Sequence, residues 1–168
     1  HNEHLTLVIE LSNIPVRGLN SIWIDGEEVT IHETNPHPSY GKRIGSNTSG
    51  SKNYDQYAWI NFYDGTQTEA DPFLATYFSE NGNYYKNGDY VLDENFIGYG
   101  NAYAIVTFRT KTGLWNGFPK VLFVVDGIEL KDASTGGSSS THDNPVDFNP
   151  QNIEIERITQ FYRLLLLM

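Results

Sequence analysis

The chain has 168 residues and a mass of 19.0 kDa, enough for one domain with a buried core. Eleven Lys and Arg stand against 21 Asp and Glu, giving a formal net charge of −10; such a surface repels phosphate backbones and argues against nucleic-acid binding. Cysteine is absent, which removes disulfides, thiolate metal ligands and a Cys nucleophile together, and no window approaches the roughly 20 apolar residues that a membrane span needs.

The N-terminus, His1-Asn2-Glu3-His4, carries neither an initiator Met nor a signal-peptide pattern, and reads as a cut inside a longer polypeptide. Leu5, Leu7, Ile9 and Leu11 then alternate with Thr6, Val8 and Glu10, the period-2 signature of a strand with one face in a core. Pro15 and Gly18 punctuate it. Ser21-Ile22-Trp23-Ile24, Asp25-Gly26 and Glu27-Glu28-Val29-Thr30-Ile31 predict a hairpin, because Gly accepts the positive φ of a type I′ turn. From 32 to 56 the hydrophobic pattern vanishes into Pro, Gly, Ser and Asn, and a long loop is expected over 34–56.

Residues 57–63 read as a strand ending at Asp64-Gly65. Asp71-Pro72, followed by Phe73, Leu74, Tyr77 and Phe78, predicts a short helix near 71–79. Asp71 is its N-cap and Pro72 its first residue, where the missing N–H costs nothing. A second long, polar, Tyr-rich loop is expected over 80–100. A strand follows over 102–110, with Tyr103, Ile105 and Thr107 alternating against Ala104, Val106 and Phe108. Residues 121–125 form the next strand, and Asp126-Gly127 repeats the turn device before Ile128. Gly136-Gly137-Ser138-Ser139-Ser140 is a flexible tract. In the tail, Ile155, Ile158, Tyr162 and Leu165 share a helical face behind Asn149-Pro150, so a C-terminal helix is expected over 147–168. Its bare apolar end, with Leu165 and Leu166, reads as a surface that docks on a partner such as a second copy of the chain, or else folds back on the sheet.

No catalytic constellation emerges. The histidines at 1, 4, 32, 37 and 142 have no HExxH or HxH spacing, so no metal site is assigned. Asp25, Asp64 and Asp126 each precede Gly, where Asp is chosen for local hydrogen bonding rather than for paired-carboxylate chemistry. There is no Gly-x-Ser-x-Gly elbow and no phosphate loop. No cofactor and no enzymatic activity are assigned. Tyr40, Tyr54, Tyr84, Tyr85 and Trp115 have two readings. Either they pack the ends of a β domain and its contacts with other chains, or they stack on sugar rings as in a carbohydrate-binding β-sandwich module. Together with Leu165 and Leu166 they are the candidate interaction surface.

Several motifs also resemble one family. Leu5-Thr6-Leu7-Val8-Ile9-Glu10-Leu11-Ser12-Asn13-Ile14-Pro15-Val16-Arg17-Gly18-Leu19, followed by Ile22-Trp23-Ile24-Asp25-Gly26-Glu27, resembles the tail-tip protein J family of long-tailed phages. Asp64-Gly65-Thr66-Gln67 with Ala70-Asp71-Pro72 is similar to its "DGTQ…ADP" element, and Gly100-Asn101-Ala102-Tyr103 to its "G-x-AY" strand. Phe118-Pro119-Lys120-Val121 through Val125-Asp126-Gly127 and then Asp143-Asn144-Pro145-Val146 resemble the pieces that follow. The resemblance covers residues 5–146. It implies an excised segment of a baseplate hub or host-attachment protein at the tail tip of a phage or prophage. Its location would be the virion, or the bacterial cytoplasm during assembly. Its partners would be other tail-tip subunits or domains of the same hub, with homo-oligomers and glycan contacts also open. After Val146 the family continues through a helix into a further hub domain, and this chain departs from that pattern.

The expected fold is mainly β: an antiparallel sandwich or small open barrel over 1–146, with one short helix, and then the helical tail over 147–168.

Overall fold

A computed structural model describes residues 3–82, 84–86, 90–127 and 165–167; for 84–86, 90, 91 and 165–167 the description is of the backbone. The described residues are mainly β, with one helix and a nearly closed, barrel-like antiparallel sheet. The strands are β1 (His4–Ser12), β2 (Gly18–Ile24), β3 (Glu27–His37), β4 (Gly41–Asn47), β5 (Ala58–Tyr63), β6 (Tyr84–Lys86), β7 (Tyr90–Leu92), β8 (Ala102–Arg109), β9 (Val121–Asp126) and β10 (Leu165–Leu167). The sheet runs β10-β1-β8-β5-β4-β3-β2-β9, and β6 and β7 form a separate hairpin.

β8 holds the centre. Its even residues Ala104, Val106 and Phe108 join Leu7, Ile9, Ile22, Ile24, Ile44, Tyr54 and Ile60 inside the barrel. Its odd residues Tyr103 and Ile105 face outward, yet they are buried too. Helix α1 (Pro72–Asn81) lays Leu74 and Phe78 over them and Val8, closing a second core. A strand apolar on both faces must be covered on both, and the helix is that cover. Thr6 and Thr107, opposite each other in register, pair their hydroxyls at 2.9 Å within this buried zone.

The helix starts as its sequence dictates. Asp71 has extended backbone, its side chain accepts from Leu74 N, and Pro72 opens the first turn. The Asp25-Gly26 turn has positive φ at both residues, 52° and 89°, and Ile24 pairs with Glu27 across it. That is the two-residue type I′ hairpin.

The expected loop over 34–56 is corrected. β3 runs on to His37, the chain turns through Pro38-Ser39-Tyr40, and β4 returns from Gly41, so loop remains only from 48 to 57. The signal was lost because two register shifts, at Val29/Ile31 and His32/His37, break the period-2 alternation on which the reading depends. The remaining loop is tightly bonded. Asn47 Oδ1 accepts from Lys52 N, Asn47 Nδ2 donates to Ser51 Oγ, and Tyr54 is fully buried beneath it. The second expected loop, 80–100, contains the β6–β7 hairpin.

The helical tail is corrected where it is described. Leu165–Leu167 is a strand, antiparallel to β1 with Leu166 opposite Leu7. A run of leucines has no alternation to separate helix from strand, and β1 offered an open edge to fill. The rest of the tail helix, the flexible tract at 136–140 and Asp143-Asn144-Pro145-Val146 lie outside the described residues.

Candidate functional site

The β3–β4 turn borders a surface concavity. Gly41, at φ 85°, lets the chain reverse against β5, and a Cβ there would collide with the Asn61 side chain and the Ile60 carbonyl. The reversal is clamped by His37, whose Nδ1 accepts from the backbone N–H groups of Ser39 and Tyr40 at 3.1 and 3.2 Å. Nδ1 is thus the acceptor, and the ring proton of the neutral imidazole sits on Nε2.

The turn folds its rings onto the sheet. Tyr40 stacks on His37 with centroids 4.5 Å apart, and lies 5.2 Å from His4, 5.4 Å from Trp59 and 5.4 Å from Phe73. These side chains come from β1, the β3–β4 turn, β5 and α1. Next to them opens a shallow cleft of about 600 Å³, with Arg43, Gln56 and Arg109 on its polar side. Arg43 Nη1 holds both oxygens of Asp55, at 3.0 and 3.2 Å, while its buried Nε has no hydrogen-bond partner among the described residues. Arg109 contacts Glu3 at 3.4 Å. Partial burial, then the positive charge of Arg109, hold the His4 imidazole below its ordinary value; Glu3 opposes them weakly. The cleft is a ring-lined hollow in which Arg43 is paired with Asp55 and Arg109 with Glu3.

Of the sequence candidates whose side chains are described, Tyr40 lines this cleft and Tyr54 and Trp115 do not. Tyr54 is fully buried and stacks on Trp115 at 5.1 Å; burial and the nearby charges of Asp25 and Glu27 push its hydroxyl up to about 12. Trp115 is half-buried, packs edge-on against Phe108, and donates from Nε1 to the Arg109 carbonyl. Both are packing residues. Tyr84 and Tyr85 lie on β6, and Leu165 and Leu166 on β10, all described by backbone alone. With β10 paired to β1, the leucine end belongs to this domain's own sheet, which corrects its reading as a partner-docking helix. The sequence reading missed His4, His37, Arg43 and Trp59. The one available signal was the His37-Pro38-Ser39-Tyr40-Gly41 string, which is a turn motif.

Asp71 is the one fully buried carboxylate among the described residues, and it serves structure. Its oxygens accept from Leu74 N at 2.9 Å, Tyr63 Oη at 2.6 Å and Asn61 Nδ2 at 3.1 Å. Among the described residues no three His, Asp or Glu side chains gather as metal ligands, and no helix is long and apolar enough to cross a membrane.

A second feature is a knot at one end of the barrel, tying distant segments through backbone groups. Val16 N donates to the Asp64 carbonyl at 2.8 Å, and Gly65, at φ 101°, packs so tightly on Pro15 that no Cβ fits. Asp64 Oδ1 accepts from the N–H and hydroxyl of Thr66, which keeps its carboxyl below the usual range. Gln67 Oε1 accepts from Gly65 N, and its Nε2 reaches the carbonyls of Gly98 and Asn101 at 2.6 and 3.1 Å. Gly100 N donates to the Gly65 carbonyl, and Arg17 N to the Asp126 carbonyl.

No protein family, curated protein or solved structure matches this chain.

Proposed function

We propose that this chain is a structural interaction module of a phage or prophage tail-tip hub, acting in host attachment through protein–protein contacts in the virion tail and not through catalysis. The observation that carries the reading is the knot. Val16 and Arg17, Asp64-Gly65-Thr66-Gln67, Gly100-Asn101, and Asp126 are widely separated in sequence. They are also the pieces that resemble the tail-tip family, and here they bond to one another. Motifs that are weak one at a time gain weight when the fold gives them a joint physical reason. The packing of Tyr54 and Trp115 supports the same side, because an aromatic row for sugar binding would leave those faces open.

The test is direct. Antibodies raised against the purified chain should decorate the distal tail end of phage particles from cells carrying the gene. Particles with intact tails that contain no peptide of this chain by mass spectrometry would overturn the reading.

One observation favours a second reading, the carbohydrate-binding module. The His37–Tyr40 stack lies at the mouth of an open cleft beside Arg43 and Gln56, an arrangement that suits a sugar ring. On a glycan array that reading requires binding that Tyr40→Ala abolishes.

A further inference from the structure

The β3–β4 hairpin is loosely laddered toward its tip. Between the pairs His32 with Arg43 and His37 with Gly41, four residues of β3 stand against one of β4, and Asn35 among them has a φ of 53°. Past that bulge the register gives only His37 with Gly41. The turn Pro38-Ser39-Tyr40 is held there by His37 Nδ1, which accepts from both Ser39 N and Tyr40 N. One ring nitrogen is thus the acceptor for two backbone donors. It can be so only while it keeps its lone pair, because an imidazolium carries a proton on each nitrogen and accepts nothing. Histidine is the side chain whose charge ordinarily changes between about pH 5 and 8, and His37 is half-buried, within reach of protons from solvent.

A charge on His37 would find no counterion in the cleft. Among the described residues, the charged and titratable groups lining it with His37 are His4 from β1, Tyr40 from the turn, Arg43 from β4 and Arg109 from β8, with no Asp or Glu. The carboxylates of Asp55 and Glu3 are engaged by Arg43 and Arg109. Glu33 of β3 is held by Lys42, and neither lines the cleft. β5 and α1 bring only the rings of Trp59 and Phe73. The face of Tyr40, 4.5 Å from His37 between centroids, would favour a cation. It cannot replace the acceptor that two N–H groups lose to a third.

We infer that His37 is an acid-released latch on the β3–β4 turn. Neutral, it ties down Ser39 and Tyr40 and keeps the Tyr40 ring on the sheet. Protonated from solvent in mild acid, it lets both go and widens the cleft. Ile31 and Ile44 pair on the core side of the bulge and pack in the barrel interior, so the change stays at the tip. The inference goes beyond the tail-tip reading and does not depend on it.

NMR of the full chain tests each step. At about pH 7.5 the long-range proton–nitrogen spectrum of His37 should show the neutral ring with its proton on Nε2. As pH falls to about 5, the Ser39 and Tyr40 amides and the Tyr40 ring should shift with one midpoint, that of His37 itself, while the Ile31 and Ile44 amides stay in place. Protection of the two turn amides, corrected for intrinsic exchange, should drop by about tenfold or more. His37→Asn keeps a side-chain acceptor for the N–H groups two and three residues on and cannot titrate, so it should hold the turn closed at both pH values. His37→Ala should leave the turn open at both, and His4→Gln should leave the transition in place. A neutral ring protonated on Nδ1 overturns the inference. So do turn resonances indifferent to the charge on His37, a transition that survives His37→Asn, and one that His4→Gln abolishes. Should a variant fail to fold, the titration of the unaltered chain decides alone.

Discussion

At the scale of single residues, two positions carry consequences out of proportion to their size. Gly26 sits at φ 89° beside Asp25 at 52°, and that turn sets the β2–β3 register. A β-branched side chain resists positive φ, so Gly26→Val should destabilise by about 1 kcal/mol or more in chemical denaturation. Asp71 is a cap and a buried acceptor at once. Asp71→Ala leaves the Tyr63 hydroxyl and the Asn61 amide without their partner and uncaps α1, for an expected loss of about 2–4 kcal/mol. Tyr63→Phe removes one donor and leaves the cap in place, so it should cost less. Equal losses in urea titrations would mean that the cap contributes nothing.

At the scale of elements, the β3–β4 turn borders the cleft, and Gly41 makes the turn. Gly41→Ala meets both a positive φ and the Asn61 side chain, so a loss of about 2 kcal/mol or more is expected, with the Tyr40–His37 stack displaced. Tyr40 ring resonances in NMR would report that displacement. Strand β10 offers a different test. It pairs with β1 at Thr6, Leu7 and Val8, on the side of that strand away from β8. Deleting residues 165–168 should leave the sheet folded and speed amide exchange along the outer edge of β1. Global unfolding on deletion would show that β10 is required for the fold and does more than cover an edge.

At the scale of the whole molecule, the net charge of −10 and the two shielded tyrosines set the pH response. Burial raises the Tyr54 hydroxyl from 10 to about 12, and burial together with the Asp71 carboxylate raises Tyr63 as well. The folded chain thus holds these protons more tightly than the unfolded one. Their stabilising effect is complete below pH 10 and is lost as pH rises through 12 for Tyr54. Denaturation midpoints should fall steeply above pH 10, and Tyr54→Phe should flatten part of that fall. A midpoint independent of pH in that range would mean that Tyr54 opens to solvent before the barrel unfolds.

What the sequence determined by itself was local. The 5–11 alternation, the Asp-Gly hairpin, the Asp71-Pro72 helix start and the β8 strand are legible because each rests on neighbours within a few residues. The tertiary structure decided what depends on distant partners. β3 and β4 are strands because Ile31 and Ile44 find the barrel interior, although bulges erase their period in the sequence. Leu165–Leu167 is a strand because β1 had an edge to share. The aromatic residues divided the same way: Tyr54 and Trp115 went to packing and Tyr40 to the cleft, a choice made by strand order and not by residue type. His37, Trp59 and Arg43 meet only after the turn at Gly41 closes. Backbone geometry near a glycine or a proline is encoded within a few residues, whereas burial and contact depend on which strands become neighbours.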